Sequence, residues 1–99
     1  MSFVSTQPED VTAAAETLQG IGSAMTVQNV ATAAPTTGVV PAAADPVSAL
    51  TATQFAVQAQ MYQAVSAQAA AIHDMVVSTL GSGAGSYAAT EAANAVATG

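Results

Sequence analysis

The sequence predicts an all-α protein, a long antiparallel hairpin of two helices over residues about 7–36 and 46–80. Small apolar residues recur at steps of three and four in both segments, as on one side of a helix. A proline-containing helix-start signal precedes each segment, and two prolines and a glycine lie between them over residues 35–41. Together these observations favour two rods joined by one loop.

The first helix is predicted to begin at a capping box. Thr6 is the expected N-cap, Glu9 closes the box three residues later, and Pro8 falls in the first turn, where its missing N–H costs little. Asp10 adds a second carboxylate at the positive end of the helix dipole. These signals fix the start near residue 7.

One narrow stripe of mostly small residues follows along this helix. It consists of Val11, Leu18, Met25 and Thr32 at seven-residue intervals, with Ala14, Ala15, Ile21, Gly22 and Gln28 between them. Gly20 and Gly22 each cost about 1 kcal/mol relative to alanine inside a helix. We therefore expect close approach of a neighbouring helix at these glycines.

The second helix is predicted to start at Asp45, which caps it, and Pro46, which opens it. Since Pro35 and Pro41 disfavour helix around them, the first helix should end or kink at residues 33–37, with a loop over 37–45. No breaker follows until Gly81, so we expect a helix end at Leu80, a glycine-rich break over 81–85 and a flexible tail over 86–99. The two helices would then be about 40 and 50 Å long.

The second helix carries more apolar surface than one neighbour can cover. One stripe contains Val47, Leu50, Gln54, Val57, Met61, Gln68 and Met75, a second contains Phe55, Tyr62, Ala69 and Val76, and Val65 and Ile72 lie between them. We therefore expect an exposed apolar face in the isolated chain and a partner that completes a four-helix bundle. The predicted partner-interface residues are Val11, Leu18, Ile21, Met25, Leu50, Phe55, Val57, Met61, Tyr62, Val65, Ile72 and Val76. A homodimer of two hairpins is an alternative.

The composition excludes several classes of function. With no Lys or Arg and a formal charge of -6, the chain is poorly suited to nucleic acids and anionic membrane surfaces. It has no cysteine and one histidine, so neither disulfides nor a metal can stabilise so small a fold, and a partner chain is the remaining means. No apolar run is long enough to cross a bilayer, and the N-terminus lacks the features of a secretory signal peptide.

No catalytic, metal or cofactor site is predicted. His73 and Asp74 are neighbours in sequence, so they diverge by about 100° around a helix and do not form a dyad. There is no Gly-x-Ser-x-Gly elbow, and the glycines of 81–85 lack the Lys-Ser/Thr of a phosphate loop. We expect a non-enzymatic protein.

Tyr87 and Glu91 are the distinctive residues near the end of the chain. If that segment is helical, their i, i+4 spacing puts both on one side, where a partner could read them together. A docking point or address label is one interpretation. A terminal tyrosine without a role is the other.

Several motifs together resemble the mycobacterial PE family over essentially the whole chain. They are Met1-Ser2-Phe3-Val4 with Pro8-Glu9, Leu18-Gln19-Gly20-Ile21-Gly22, the loop Ala34-Pro35-Thr36-Thr37-Gly38-Val39-Val40-Pro41-Ala42-Ala43-Ala44-Asp45, and the terminal Ser86-Tyr87-Ala88-Ala89-Thr90-Glu91-Ala92-Ala93-Asn94. The chain is similar to the short members that consist of a single PE domain, here 1–99. The resemblance implies a hairpin that pairs with a PPE-family protein in an elongated four-helix bundle, exported by a type VII (ESX) secretion system.

The resemblance also implies roles for particular residues. Pro8 and Glu9 correspond to the motif that names the family, and Tyr87 and Glu91 correspond to its Tyr-x-x-x-Asp/Glu export signal, with glutamate here in place of the commoner aspartate. In the family the PPE partner supplies a Trp-x-Gly turn beside the signal, and this chain has no tryptophan. An EspG-type chaperone is implied only indirectly, since it grips the PPE subunit.

The expected location is the culture medium or the cell surface, including the cell wall and outer membrane, reached through type VII secretion without a cleavable signal peptide. A rival function is a cell-surface or outer-membrane role in permeability, nutrient uptake or host immune interaction. Uncovered amphipathic helices are compatible with that role, whereas the absence of Lys and Arg argues against direct binding to anionic headgroups.

Overall fold

The computed structural model describes residues 7–99, which form a hairpin of two antiparallel helices. Helix α1 covers Pro8–Thr37 and helix α2 covers Pro46–Thr98. Residues 7–99 contain no strand. The molecule measures 80 × 21 × 17 Å, and its radius of gyration is 22.9 Å, against about 13 Å for a compact domain of this length. The predicted helical hairpin is confirmed, and its shape is a rod.

Helix α1 begins and ends close to the predicted positions. Its first residue is Pro8, and Gln7 occupies the N-cap position without a side-chain hydrogen bond, while the expected cap, Thr6, lies outside the described residues. Pro35 is accommodated in the last turn, where it removes one intrahelical hydrogen bond and only two helical residues follow it. The N–H of Gly38 closes the helix by donating to the Ala34 carbonyl at 3.0 Å.

Helix α2 starts at Pro46, and Asp45 caps it as predicted. The Ser48 N–H donates to Asp45 Oδ1 at 2.8 Å, and the Ser48 hydroxyl donates to Oδ2 at 2.9 Å. These bonds to the charged form lower the pKa of the Asp45 carboxyl below its usual value, with the backbone N–H of Ser48 as the main cause. The loop is thus tied to the first turn of α2.

We expect Asp45→Ala to lower the melting temperature at neutral pH and Asp45→Asn to preserve most of it, since both Asp and Asn cap helices well. The Asp45 carboxyl has a lower pKa in the folded state than its ordinary value of 3.8 in the unfolded state. Its charged form therefore stabilises the fold above pH 3.8, and this contribution is lost as the pH falls through the pKa of the folded state. The gap between the parent and Asp45→Ala should therefore shrink below pH 3.8 in circular dichroism melts, whereas the gap between Asp45→Asn and Asp45→Ala should persist. If the difference in melting temperature between the parent and Asp45→Ala did not change with pH, this assignment would be contradicted.

The predicted helix end at Leu80 and the flexible break over 81–85 are wrong. Helix α2 continues through all three glycines to Thr98, so its 53 residues span about 80 Å rather than 50 Å. A glycine inside a helix costs only about 1 kcal/mol, and no proline follows. Ala84, in the middle of the glycines, is only 2% exposed. Its packing holds the helix together where the local signal predicted an end.

Small side chains line the seam between the two helices. The buried or half-buried residues of α2 are Ser48, Ala52, Ala56, Ala59, Gln63, Ser66, Ala70, His73, Val77, Leu80, Gly83 and Ala84. Those of α1 are Pro8, Val11, Ala15, Leu18, Gly22, Asn29, Ala33 and Thr37. From Ala52 to Ala84 the α2 positions, Gly83 aside, alternate steps of four and three, the spacing of a coiled-coil seam. Neither large apolar stripe predicted on the second helix faces α1.

The predicted close approach of the opposite helix occurs at Gly22 and not at Gly20. A Cβ on Gly22 would lie 2.6 Å from Cδ2 and 2.8 Å from Nε2 of His73, whereas nothing lies within 4 Å of one on Gly20. His73 Nε2 sits 2.6 Å from the Leu18 carbonyl oxygen, which only accepts, so Nε2 carries the proton. The imidazole therefore crosses the seam through the space that Gly22 leaves.

Candidate partner interface

The described residues bury little within the hairpin. Only Ala15, Ala52 and Ala84 are buried, and none of the large side chains is fully enclosed. The chain exposes 7300 Å² of surface, whereas a compact protein of its mass exposes about 5,100 Å². The excess of roughly 2,000 Å² matches what one subunit contributes to a large, obligate interface.

Large apolar side chains gather on one side of the hairpin. Phe55 and Tyr62 line a groove of about 540 Å³ with Pro35 of α1 and Val39 of the loop. On α2, Val76 follows Tyr62 by two heptads and therefore lies on the same side of the helix as Tyr62. On α1, Ile21 precedes Pro35 by two heptads and therefore lies on the same side as Pro35. Val65 and Ile72 lie on the adjoining strip of α2. We call the following set of residues the apolar face: Ile21, Phe55, Tyr62, Val65, Ile72 and Val76.

A hydrogen bond fixes one aromatic anchor of the apolar face. The Tyr62 hydroxyl donates to Asn29 Oδ1 at 2.8 Å, and Gln63 Nε2 donates to the Asn29 carbonyl oxygen at 3.1 Å. The Tyr62 ring itself stays exposed. Because its polar end is already held by α1, the ring is presented with little freedom left to lose on binding.

The predicted interface residues fall into two groups. Val11 and Leu18 are half-buried in the seam of the hairpin, so little of their surface remains for another chain. The other ten are 43–63% exposed in the hairpin: Ile21, Met25, Leu50, Phe55, Val57, Met61, Tyr62, Val65, Ile72 and Val76. The predicted exposed apolar face of the isolated chain is thereby confirmed.

The opposite side of the hairpin is mixed, with a polar strip of α2 beside small apolar residues and Val57. Thr53 and Gln60 line a second groove there, and Asp74 lies two heptads beyond Gln60 on the same strip of α2. The apolar face contains none of the six acidic residues, at positions 9, 10, 16, 45, 74 and 91. Desolvating the apolar face would therefore bury no charge.

Pro8 and Glu9 lie beside the glycine-rich part of α2. They line a groove of about 490 Å³ together with Thr12 and Glu16 of α1 and with Gly81, Ala84, Gly85 and Ala88 of α2. Sequence reasoning missed this juxtaposition because it ended the second helix at Leu80. The regular alternation of four- and three-residue steps between mostly small residues from Ala52 to Ala84 was the signal that could have revealed it.

Tyr87 and Glu91 lie on the terminal part of α2, one helical turn apart and on one side, as their spacing predicts if helical. Both continue the seam positions of α2, since Ala84, Tyr87 and Glu91 follow at steps of three and four. They therefore lie on the side of α2 that α1 covers lower in the hairpin. Tyr87 is 52% exposed, compared with 85% for Val96 nearby.

Among residues 7–99, the remaining polar groups give no sign of catalysis. His73, the one histidine, is engaged by the Leu18 carbonyl in the seam. In residues 7–99 no three His, Cys, Asp or Glu side chains gather as a metal site would need. Across the same residues, neither helix has a stretch apolar enough to span a bilayer.

Comparison with known proteins assigns the family. The model of the PE family matches residues 4–94. The chain is 66% identical to the PE family protein PE13 of Mycobacterium tuberculosis over 98% of both chains. It is 56% identical to PE8 and 57% identical to PE_PGRS33 of the same species, but it spans only 35% and 19–20% of their lengths. The hairpin described above is a PE domain, and the chain belongs to the PE family.

Proposed function

We propose that this protein is one half of a heterodimer with a PPE-family protein, and that it forms a four-helix bundle with two helices of that partner. The uncharged, exposed apolar face is the observation that carries the proposal. A contiguous apolar surface of this kind on a soluble protein is typical of an interface. A two-helix hairpin buries each helix on one side only, and two further helices would cover the rest.

The exposed residues on the outer side of α2 extend the proposed interface beyond the apolar face. They are Leu50, Val57, Met61 and Met75. Burying one such side chain completely stabilises an assembly by about 1.5–3 kcal/mol relative to leaving it in water. Because small and polar residues make up most of the hairpin seam, we infer that most of the stability of the folded chain comes from the partner.

We further propose that Tyr87 and Glu91 form part of an export signal read by a type VII secretion system, which would deliver the pair to the medium or the cell surface. The helical geometry supports a joint reading, since both side chains are on one side of the terminal part of α2. An EspG-type chaperone would act through the PPE subunit, for which this chain needs no residues of its own.

We expect Tyr87→Ala or Glu91→Ala to abolish export while the heterodimer still forms, because neither residue is on the apolar face. The measurement compares the amount of protein in culture filtrate with that in the cells, alongside co-purification of the partner from the cell lysate. Val96→Ala is the matched control, because Val96 is exposed on the same terminal helix but does not continue the seam positions. Normal export of both signal variants would contradict the proposed signal, and loss of pairing would assign the two residues to the interface instead.

A further inference from the structure

Asn29 of α1 holds two neighbouring side chains of α2. Its side-chain Oδ1 accepts a hydrogen bond from the Tyr62 hydroxyl at 2.8 Å, and its backbone carbonyl oxygen accepts one from Gln63 Nε2 at 3.1 Å. Asn29 and Gln63 are both half-buried in the seam. Alanine has the higher helix propensity, so helix propensity explains neither amide. We call Asn29, Tyr62 and Gln63 the clasp.

Around the clasp, the seam consists of small residues that repeat every seven positions. On α2, Ala52, Ala59 and Ser66 follow one another at this spacing, and Ala33 lies in the seam of α1. A movement of α2 by one heptad, about 10.5 Å along α1, would keep the seam side of α2 turned towards α1. Ala33 would then meet another small residue. Packing of these small residues therefore discriminates poorly between registers that differ by a heptad.

Two polar contacts agree on a single register. The residue numbers of Asn29 and Tyr62 add up to 91, and so do those of Leu18 and His73. A heptad shift would break both contacts, and it would move the His73 ring out of the space that Gly22 leaves for it. In coiled coils, a polar residue at a seam position is the best-attested means of fixing the register.

The register decides which residues form the apolar groove. In the observed register, Pro35 of α1 lines this groove with both Phe55 and Tyr62 of α2. Because these two rings are seven residues apart, a heptad shift would leave only one of them beside Pro35. Ser48 or Ala69 would take the place of the other. The composition of the groove therefore depends on the register.

We propose that Asn29 and Gln63 are positioning residues for the partner interface. They hold the hairpin in one of several heptad-related registers and thereby bring Pro35, Phe55 and Tyr62 together. They act through these three residues, since both amides lie in the seam between the helices. The effect on binding rests on the proposed pairing with a PPE-family protein, whereas the register is a property of the hairpin alone.

Cysteine pairs report the register, because the chain has no cysteine of its own. Ala33 and Ala59 are seam residues one helical turn from the clasp, so Ala33→Cys with Ala59→Cys reports the observed register. Ala33→Cys with Ser66→Cys, or with Ala52→Cys, reports a shift by one heptad in either direction. An axial offset of about 10.5 Å exceeds the reach of a disulfide, so each pair reports one register.

Each cysteine pair is placed in the parent chain and in the double variant Asn29→Ala with Gln63→Ala, which removes one partner of each hydrogen bond of the clasp. The full-length chain is oxidised mildly at high dilution, and the intact mass of the monomer identifies intramolecular disulfides. In the parent, we expect the pair at positions 33 and 59 to form at least about tenfold faster than either shifted pair. In the double variant, this preference should fall about fivefold, the equivalent of one hydrogen bond.

Gln28→Ala with Gln60→Ala is the matched control, because it removes one exposed amide from each helix outside the seam. The control should keep the preference of the parent. A fall of less than twofold in the double variant, or an equal fall in the control, would overturn the proposal. Loss of helix in circular dichroism with an equal loss of all three disulfides would also overturn it, since the clasp would then hold the fold rather than the register.

Titration against the purified PPE-family partner tests the consequence for the interface. The double variant should raise the dissociation constant at least about fivefold, and closing the disulfide between positions 33 and 59 in the same chain should restore most of the affinity. An unchanged affinity, or a loss that the disulfide does not restore, would overturn the role of the two amides as positioning residues. If the parent bound no PPE-family protein, the proposed function would fail, and the disulfide rates would still decide the register.

Discussion

Phe55→Ala is expected to weaken assembly with the partner by about 2–4 kcal/mol, the loss typical of a central aromatic anchor at an interface. Phe55 is largely exposed in the hairpin and lines the groove at its loop end. The substitution therefore removes little packing within the chain itself. Titration of the variant against the purified partner gives the dissociation constant, which should rise at least about thirtyfold, the equivalent of 2 kcal/mol.

Tyr62→Ala should weaken assembly to a similar degree, with an additional loss in the hairpin because Asn29 loses its hydrogen-bond donor. Tyr62→Phe separates the two effects, since it keeps the ring and removes only the hydroxyl. Thr53→Ala, on the polar side of α2, is the matched control and should leave the dissociation constant unchanged. If Thr53→Ala weakened assembly more than Phe55→Ala, the partner would cover the polar side, and our assignment of the interface would be wrong.

Gly22→Ala is expected to destabilise the hairpin by about 1–3 kcal/mol, the usual cost of overpacking, reduced by the better helix propensity of alanine. The new Cβ would lie 2.6 Å from the His73 ring. Moving the ring away would break the bond between Nε2 and the Leu18 carbonyl oxygen. Chemical denaturation monitored by circular dichroism measures the change in the free energy of unfolding.

Two further variants show whether His73 is the cause. Gly20→Ala should stabilise the chain by up to about 1 kcal/mol, because alanine is the better helix former and the space beside Gly20 is open. Combining Gly22→Ala with His73→Ala should recover much of the loss, since the ring that clashes is gone. Equal effects of Gly20→Ala and Gly22→Ala would show that the imidazole does not occupy the space beside Gly22.

The boundaries of the hairpin were predictable because they depend on local chemistry. Asp45 specifies the start of α2 by capping the Ser48 N–H, and Pro46 does so by its fixed φ angle. Both features lie within the four residues 45–48. Pro35, Gly38 and Pro41 similarly restrict α1 to end at Thr37. No knowledge of the opposite helix is needed for these elements.

The end of α2 was not predictable by the same rule, because packing between helices decides it. Three glycines in five residues are a strong local signal for a break. Ala84 lies among them and is buried, and Pro8 and Glu9 line a groove with the neighbouring residues of α2. That juxtaposition depends on the register of the two helices, which sequence periodicity alone left open.

The apolar stripes of the sequence left open which residues of the two helices face each other within the chain. Large apolar side chains such as Phe55 and Met61 were the conspicuous stripes, and the less conspicuous line of Ala52, Ala56 and Ala59 faces α1 instead. Small residues allow two helices to approach closely. The large residues are thereby left on the surface, which is the basis of the proposed partner interface.

The central claim is that the hairpin requires a PPE-family partner, and sedimentation of the chain with and without that partner tests it most directly. We predict that the chain alone aggregates or self-associates at micromolar concentration, and that co-expression with a PPE-family protein converts it to a soluble 1:1 heterodimer. A discrete homodimer of the chain that no PPE-family protein dissociates would favour the alternative of two paired hairpins. A monodisperse, cooperatively unfolding monomer at micromolar concentration would contradict the claim.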